Sequence, residues 1–190
     1  MMKFLSYCFF ILILSGCLGG YSPNSNFYRL KPDIKIYTIS DVSANISVEK
    51  PAIPEYLDKP QMITFDDDSS EMKINEFNRW GENLDNMIQR QIADDLRVLL
   101  PRSQIAIANQ NMQTADYNIT IHIMNMDMIK QGKIKFSAIW FIQNKQGKIL
   151  KEKNFVTEKT IIPNYNNYAI ESANILREMT IDIAKEISRI

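Results

Sequence analysis

The feature that most restricts how this chain can fold is a change of hydrophobic period, made twice. From Ile74 to Leu100 apolar residues return every three or four positions, through Phe77, Trp80, Leu84, Met87, Ile88, Ile92, Leu96 and Leu99. That spacing gathers them on one side of an amphipathic helix, with Arg79, Glu82, Asp85, Gln89 and Arg97 on the other, and Pro101 ends it. From Tyr117 the period is two. Tyr117, Ile119, Ile121 and Ile123 alternate with Asn118, Thr120 and His122, and Ile134, Phe136, Ala138, Trp140 and Ile142 form a second row. Asn166 to Ile190 returns to helical spacing through Tyr168, Ser172, Leu176, Met179, Ile183 and Ile187. The expectation is an α+β fold: an antiparallel β-sheet with two long amphipathic helices packed on one face, a two-layer sandwich.

Local signals fill in this frame. "KQGKI" occurs at 130–134 and again at 145–149, where Gly supplies the positive φ of a hairpin and the lysines keep its tip wet. The strands so joined form a meander, with the charged stretch Ile149 to Thr157 suited to its edge. Phe27 to Leu30 and Ile34 to Val48 also read as strands, because β-branched and aromatic residues alternate with polar ones. Prolines at 51, 54 and 60 forbid a helix or central strand, so residues 51–65 read as an ordered loop leading into a short strand. Gly81 inside the expected first helix costs about 1 kcal/mol relative to Ala and implies a close neighbour there.

The amino terminus reads differently. Met1-Met2-Lys3, an apolar run from Phe4 to Leu14 and small residues after it follow the order of an export signal, residues 1–16. The run is shorter than the about 20 apolar residues a bilayer span needs. Leu14-Ser15-Gly16-Cys17 resembles the bacterial lipobox. The resemblance implies a diacylglycerol on the Cys17 thiol, cleavage before it and an N-acyl chain on the new amino terminus. Each buried methylene contributes about 0.8 kcal/mol, so two or three acyl chains anchor where one would not. Cys8 leaves with the signal, and the mature chain then has no second cysteine for a disulfide. Leu18 stands where an Asp would signal retention in the inner membrane of known lipoproteins. The expected location is therefore the periplasmic face of the outer membrane. Residues 17–26 form the lipidated tether, and 27–190 a single α+β domain.

Composition excludes some partners. The 190 residues carry 22 basic and 22 acidic side chains, and no basic block is interleaved with aromatics, so nucleic acid is not expected. No phosphate loop, G-x-S-x-G, dinucleotide fingerprint, H-E-x-x-H or cysteine pair occurs. His122, the sole histidine, falls on the polar side of its strand and reads as solvated rather than as a base or ligand. Asp66-Asp67-Asp68 lacks the turn Gly and spaced Glu of a calcium loop and reads as an acidic loop tip. No catalytic residue, metal or cofactor is expected beyond the acyl groups on Cys17.

"FYRL", "IPEYLDKPQMI" at 53–63, "NRWGENLDNMIQRQIADDLRVLLP" at 78–101, "SAIWFIQNKQGKIL" at 137–150 and "NYAIESANILREMTIDIAKEI" at 167–187 resemble the ABC-type transport auxiliary lipoproteins, the PqiC family. Its most specific piece is Pro54 to Gln61 combined with Asn78-Arg79-Trp80. Lys59 stands where many members have Arg, which weakens any bidentate contact there, and Gly81 where a larger residue is common. The resemblance implies an accessory role in lipid movement across the envelope, with the protein under the outer membrane receiving the end of an MCE-type periplasmic bridge. Tyr56, Leu57, Lys59, Pro60, Gln61 and Trp80 are its motif positions, with a partner-binding or a structural role. The family brings no catalytic residues.

The alternation leaves one face of the meander unexplained. With Ile121 and Ile123 toward the helices, Met124, Met126 and Met128 point away unless a bulge intervenes, as do Ile139 and Phe141. A hairpin turning at Gln131-Gly132 sets Met124 beside Ile139 and His122 beside Phe141. Either this patch, Met124, Ile139 and Phe141, serves self-association or partner docking, or the proline-rich segment or first strand covers it. Three functions follow from different placements: a tethered adaptor, a lipid or small-ligand carrier with an apolar cavity between sheet and helices, or an envelope enzyme with clustered titratable groups.

Overall fold

The computed structural model describes residues 23–67, 69–107 and 115–190. Cys17 and the signal lie outside the described residues. Eight strands form one mixed sheet: β1 (Asn26–Tyr28), β2 (Asn45–Val48), β3 (Gln61–Phe65), β4 (Met72–Trp80), β5 (Gln104–Ile107), β6 (Tyr117–Ile129), β7 (Lys133–Asn144) and β8 (Ile149–Thr160). Helix α1 (Leu84–Leu99) lies between β4 and β5, and α2 (Tyr165–Ile187) follows β8. The fold is α+β, with both helices against one face of the sheet.

The sheet forks at β6. On one side β6, β7 and β8 form the expected antiparallel meander, with β8 at its edge. On the other side two short branches share the β6 edge. β2 runs parallel to its beginning, from Ile46↔Tyr117 to Val48↔Ile119, and carries β5 in parallel. β3 runs parallel to its end, at Thr64↔Met128 and Phe65↔Ile129, and carries antiparallel β4, which pairs with parallel β1. Residues 49–60 bridge the fork. They hold the β6 edge through the Glu49 N–H to the Ile119 carbonyl at 2.9 Å and the Ala52 N–H to the Ile121 carbonyl at 3.0 Å. A 3-10 turn, Glu55–Leu57, then leads into β3. The proline segment is thus the expected ordered loop, and the short strand after it is β3.

The interior between sheet and helices is filled. Trp140, Phe136, Ile134, Ile142 and Ala138 of β7 meet Leu176, Met179 and Ile183 of α2, and Ile119 and Ile121 of β6 join Ile88, Ile92 and Leu96 of α1 in one core. Each of the larger of these side chains contributes about 1.5–3 kcal/mol by leaving water.

Three expectations are corrected. Residues 72–80 are strand β4 rather than the start of a helix, and α1 begins only at Leu84. Gly81 ends the strand: its N–H donates to the Tyr28 carbonyl at 2.7 Å, and a Cβ on it would stand 3.3 Å from that oxygen. The close neighbour is real, but it belongs to β1. Trp80 is buried, on the core side of β4.

Second, only Asn45–Val48 of the stretch 34–48 joins the sheet, and only Asn26–Tyr28 at its start. Residues 29–44 form an extended strap across both helices. The Asp33 and Ile34 N–H groups donate to Asn174 Oδ1 of α2 at 3.0 and 3.3 Å, and the Ile39 N–H to the Leu99 carbonyl of α1 at 2.8 Å. Leu30, Ile36, Ile39 and Val42 pack on the core. Alternation therefore marks a chain with one side against helices, not a sheet strand. Beneath it Arg177 of α2 forks onto Asp95 of α1, Nη2 to Oδ1 at 2.6 Å and Nε to both oxygens at 3.1 and 3.2 Å, and Nη1 donates to the Ile34 carbonyl. Burial pushes the Asp95 carboxyl above its ordinary value even with the guanidinium against it.

Third, β6 bulges between Ile123 and Asn125. The extra residue, Met124, reverses the alternation after it, so Met126 and Met128 turn into the core while Met124 stays exposed. The register is also shifted: His122 stands opposite Ile139, and Thr120 opposite Phe141.

Candidate functional site

Because both helices lie on one face, the other face of the sheet is where a partner can reach the fold. Its occupants follow from the ladder registers, since residues directly opposite one another share a face. On the meander these are Thr120, His122, Ile139, Phe141, Glu152, Asn154 and, at the edge, Val156. Phe141 packs edge-on against His122, ring centroids 5.5 Å apart, diagonally across the ladder. Met124 is 57% exposed at the bulge and Val156 76% exposed on β8, while Ile139 and Phe141 are half-buried between them. A shallow hollow beside this group is lined by Asn125, Lys135, Ser137, Val156 and Glu158. The structure therefore brings Met124, Ile139 and Phe141 onto one open surface, as the alternation required, and adds Val156.

The proline segment covers a different part of that face. Tyr56, on the 3-10 turn, donates its hydroxyl to Asp127 Oδ1 at 2.7 Å and accepts the Met126 N–H at 3.3 Å. Its ring meets Phe65 edge-on at 5.8 Å. Burial, with the Asp127 carboxylate beside it, pushes the Tyr56 phenol well above its ordinary value. Tyr56 is thus a pin that fixes the turn to the far end of β6, and Leu57 is buried in the core beside it. Lys59 and Pro60 are exposed, and Gln61 Nε2 donates to Glu76 Oε2 at 3.2 Å. The motif residues are therefore not gathered with Met124, Ile139 and Phe141, and three of the six, Tyr56, Leu57 and Trp80, hold structure. Tyr56→Phe is expected to lower stability by about 1–2 kcal/mol, because Asp127 loses its donor. Urea denaturation checks this, and an unchanged midpoint would remove the pin.

The acidic tip is tied down by cations. Asp66 pairs with Lys73, and Asp67 bridges Lys133 Nζ at 2.7 Å and Lys135 Nζ at 2.9 Å. These lysines hold both carboxyls below their usual range. Asp68 lies outside the described residues, among which no cluster of three metal-ligating side chains occurs. His122 is exposed on the open face, as its position in the strand required.

Sequence reasoning missed a second apolar area on the open face. Met72 and Ile74 of β4 stand opposite Phe65 and Ile63, away from Met62 and Thr64, which point to the helices. Phe27 of β1 stands opposite Arg79. Reading 74–80 as a helix put Ile74 and Phe77 on its apolar side; the Asn75 and Asn78 pair and Gly81, all poor in helix interiors, were the available signal.

Residues 28–184 match the family model described as ABC-type transport auxiliary lipoprotein component. None of the curated proteins matches the chain in sequence. Among solved structures, one described only as an uncharacterized protein aligns with a TM-score of 0.73 at 19% identity, over 87% of this chain and 100% of that one. A Xanthomonas campestris protein of the DUF330 family gives 0.70 at 12% identity, over 87% and 95%. These likenesses are of fold. No helix among the described residues is long and apolar enough to cross a membrane.

Proposed function

The chain belongs to the family of ABC-type transport auxiliary lipoprotein components, and from that premise we propose that it works as a non-enzymatic, lipid-anchored adaptor of an envelope lipid transport system. In this reading residues 1–16 are a removed signal, Cys17 carries the diacylglycerol and N-acyl chain, residues 17–26 are the tether and 27–190 the folded domain. The anchor lies in the outer membrane, and the domain receives an MCE-type protein of the periplasm in the movement of phospholipid.

One observation carries the adaptor reading above the others: the helices fill one face of the sheet and leave on the other an apolar group, Met124, Ile139, Phe141 and Val156, that no element of the described chain covers. Exposed groups of this kind mark association surfaces, and Met suits an adaptable one. A carrier would need space between sheet and helices, where Trp140 and Phe136 instead pack against α2 and α1.

The anchor and the partner are tested separately. Mass spectrometry of the mature amino-terminal peptide is expected to show acyl chains on Cys17, and Cys17→Ser to move the protein from the membrane to the soluble fraction. Tagged full-length protein, cross-linked in cells, is expected to capture an MCE-type protein. Phe141→Glu is expected to abolish that capture without altering the thermal melt. Capture that survives the substitution in a folded protein rejects the meander face, and sedimentation of the same variant shows whether the face serves a second copy instead.

A further inference from the structure

The other apolar area of the open face lies on β1 and β4, beyond the reach of Tyr56. Phe27 shares its face with Arg79, and Phe77 alternates with Asn78, whose side chain turns inward to accept the Tyr28 hydroxyl at 2.8 Å. Met72 and Ile74 continue the same face. Exposure is 67% at Phe27, 53% at Ile74, 51% at Met72 and 43% at Phe77. These four large apolar side chains lie on the outermost strands of their branch.

β1 is also the strand at which the chain leaves its tether. Phe27 follows Cys17 by ten residues, and at about 3.3–3.6 Å per extended residue it stands no more than about 35 Å from the acylated thiol. Arg29 and Lys31 follow Phe27, and Lys59 sits beside Pro60, whose carbonyl accepts the Trp80 N–H of β4 at 2.7 Å. All three are exposed, and none is paired with a carboxylate among the described residues. An anionic bilayer surface neutralises them, while the long side chains reach past the apolar group to the headgroups.

We propose that Phe27, Met72, Ile74 and Phe77 rest on the bilayer that holds the Cys17 acyl chains, with Arg29, Lys31 and Lys59 at the headgroups. The inference rests on the reading of Cys17 as the anchor. The short tether keeps the patch at a high effective concentration at the membrane, so a contact too weak to recruit a free protein is occupied by a tethered one. The anchor then holds the domain in an orientation as well as at a place.

The test uses the full-length lipidated protein in vesicles of phosphatidylethanolamine and phosphatidylglycerol. Acylated Cys17 takes no thiol label, so Phe77→Cys, Met72→Cys and Val156→Cys each give one site for a bimane probe. Doxyl-labelled lipid is expected to quench the probe at 77 and 72 several-fold more than at 156, with a blue-shifted emission at the first two. Protein that floats with the vesicles but shows equal quenching at all three sites overturns the membrane contact and leaves the anchor standing. A blue shift at 77 that fades as protein is diluted over more vesicles, without lipid quenching, assigns the patch to a second copy. Protein that does not float overturns the anchor, and this inference with it.

Discussion

Arg177→Ala is expected to lower the stability of the fold by about 3–5 kcal/mol, the cost of leaving a buried charge without its partner. The guanidinium touches both oxygens of Asp95 and also the Ile34 carbonyl of the strap, so one truncation removes a contact from α1, α2 and the strap at once. Asp95 is 2% exposed, in the wall of a hollow between α1 and the strap that Arg177 also lines. A urea midpoint measures the loss. The double replacement Asp95→Leu with Arg177→Met is expected to recover much of it, since a buried pair is often no better than apolar residues of similar volume. A loss under about 1 kcal/mol in Arg177→Ala, the range of an exposed pair, would show that the site is wetter than its geometry.

Gly132→Ala is expected to destabilise far more than Gly147→Ala, although the two glycines occupy the same place in the repeated KQGKI. Both have positive φ, 89° at Gly132 and 76° at Gly147, and for an Ala that backbone strain costs about 1–2 kcal/mol in either turn. The surroundings differ. A Cβ on Gly147 meets nothing within 4 Å, whereas one on Gly132 falls 2.3 Å from the Ile161 carbonyl oxygen and 3.2 Å from Pro163 Cδ. The Ile161 N–H donates to the Gly132 carbonyl at 2.8 Å, so the β6–β7 turn and the β8–α2 junction are fastened to each other. Relieving the clash requires moving backbone, which adds about 1–3 kcal/mol of overpacking. Thermal melts of the two variants compare them directly, and equal losses would mean that the junction yields freely.

That comparison also shows what could be read from the sequence. The repeat identified two turns correctly, but nothing in five identical residues says that one of them lies under the start of a helix. The meander and α2 were legible because each buries one face through a long run of regular spacing. β4 was not, because Met72, Ile74 and Phe77 are apolar and exposed, and periodicity assumes that apolar residues point inward. With an irregular pairing near Asn75, the spacing of Ile74, Phe77 and Trp80 happened to continue the helical pattern of α1. The bulge at Met124 left no mark in composition either. The open face was therefore found through Ile139 and Phe141, which lie on the regular strand, while Met126 and Met128 were placed on the wrong side of it. Of the motif, Leu57 gave no sign of being core, since its neighbours are prolines and charges.

The strap that crosses both helices has a kinetic consequence. Its partners are far along the chain: Asp33 and Ile34 wait for Asn174, and the Ile34 carbonyl waits for Arg177, separations of 141, 140 and 143 residues. Closing loops of that length is slow relative to forming a local hairpin, so the meander is complete before the strap can settle. A segment made early is thus secured late. During that interval β1 can already pair with β4 and Ile39 with α1, while the stretch around Asp33 and Ile34 stays unfastened until the final helix has formed.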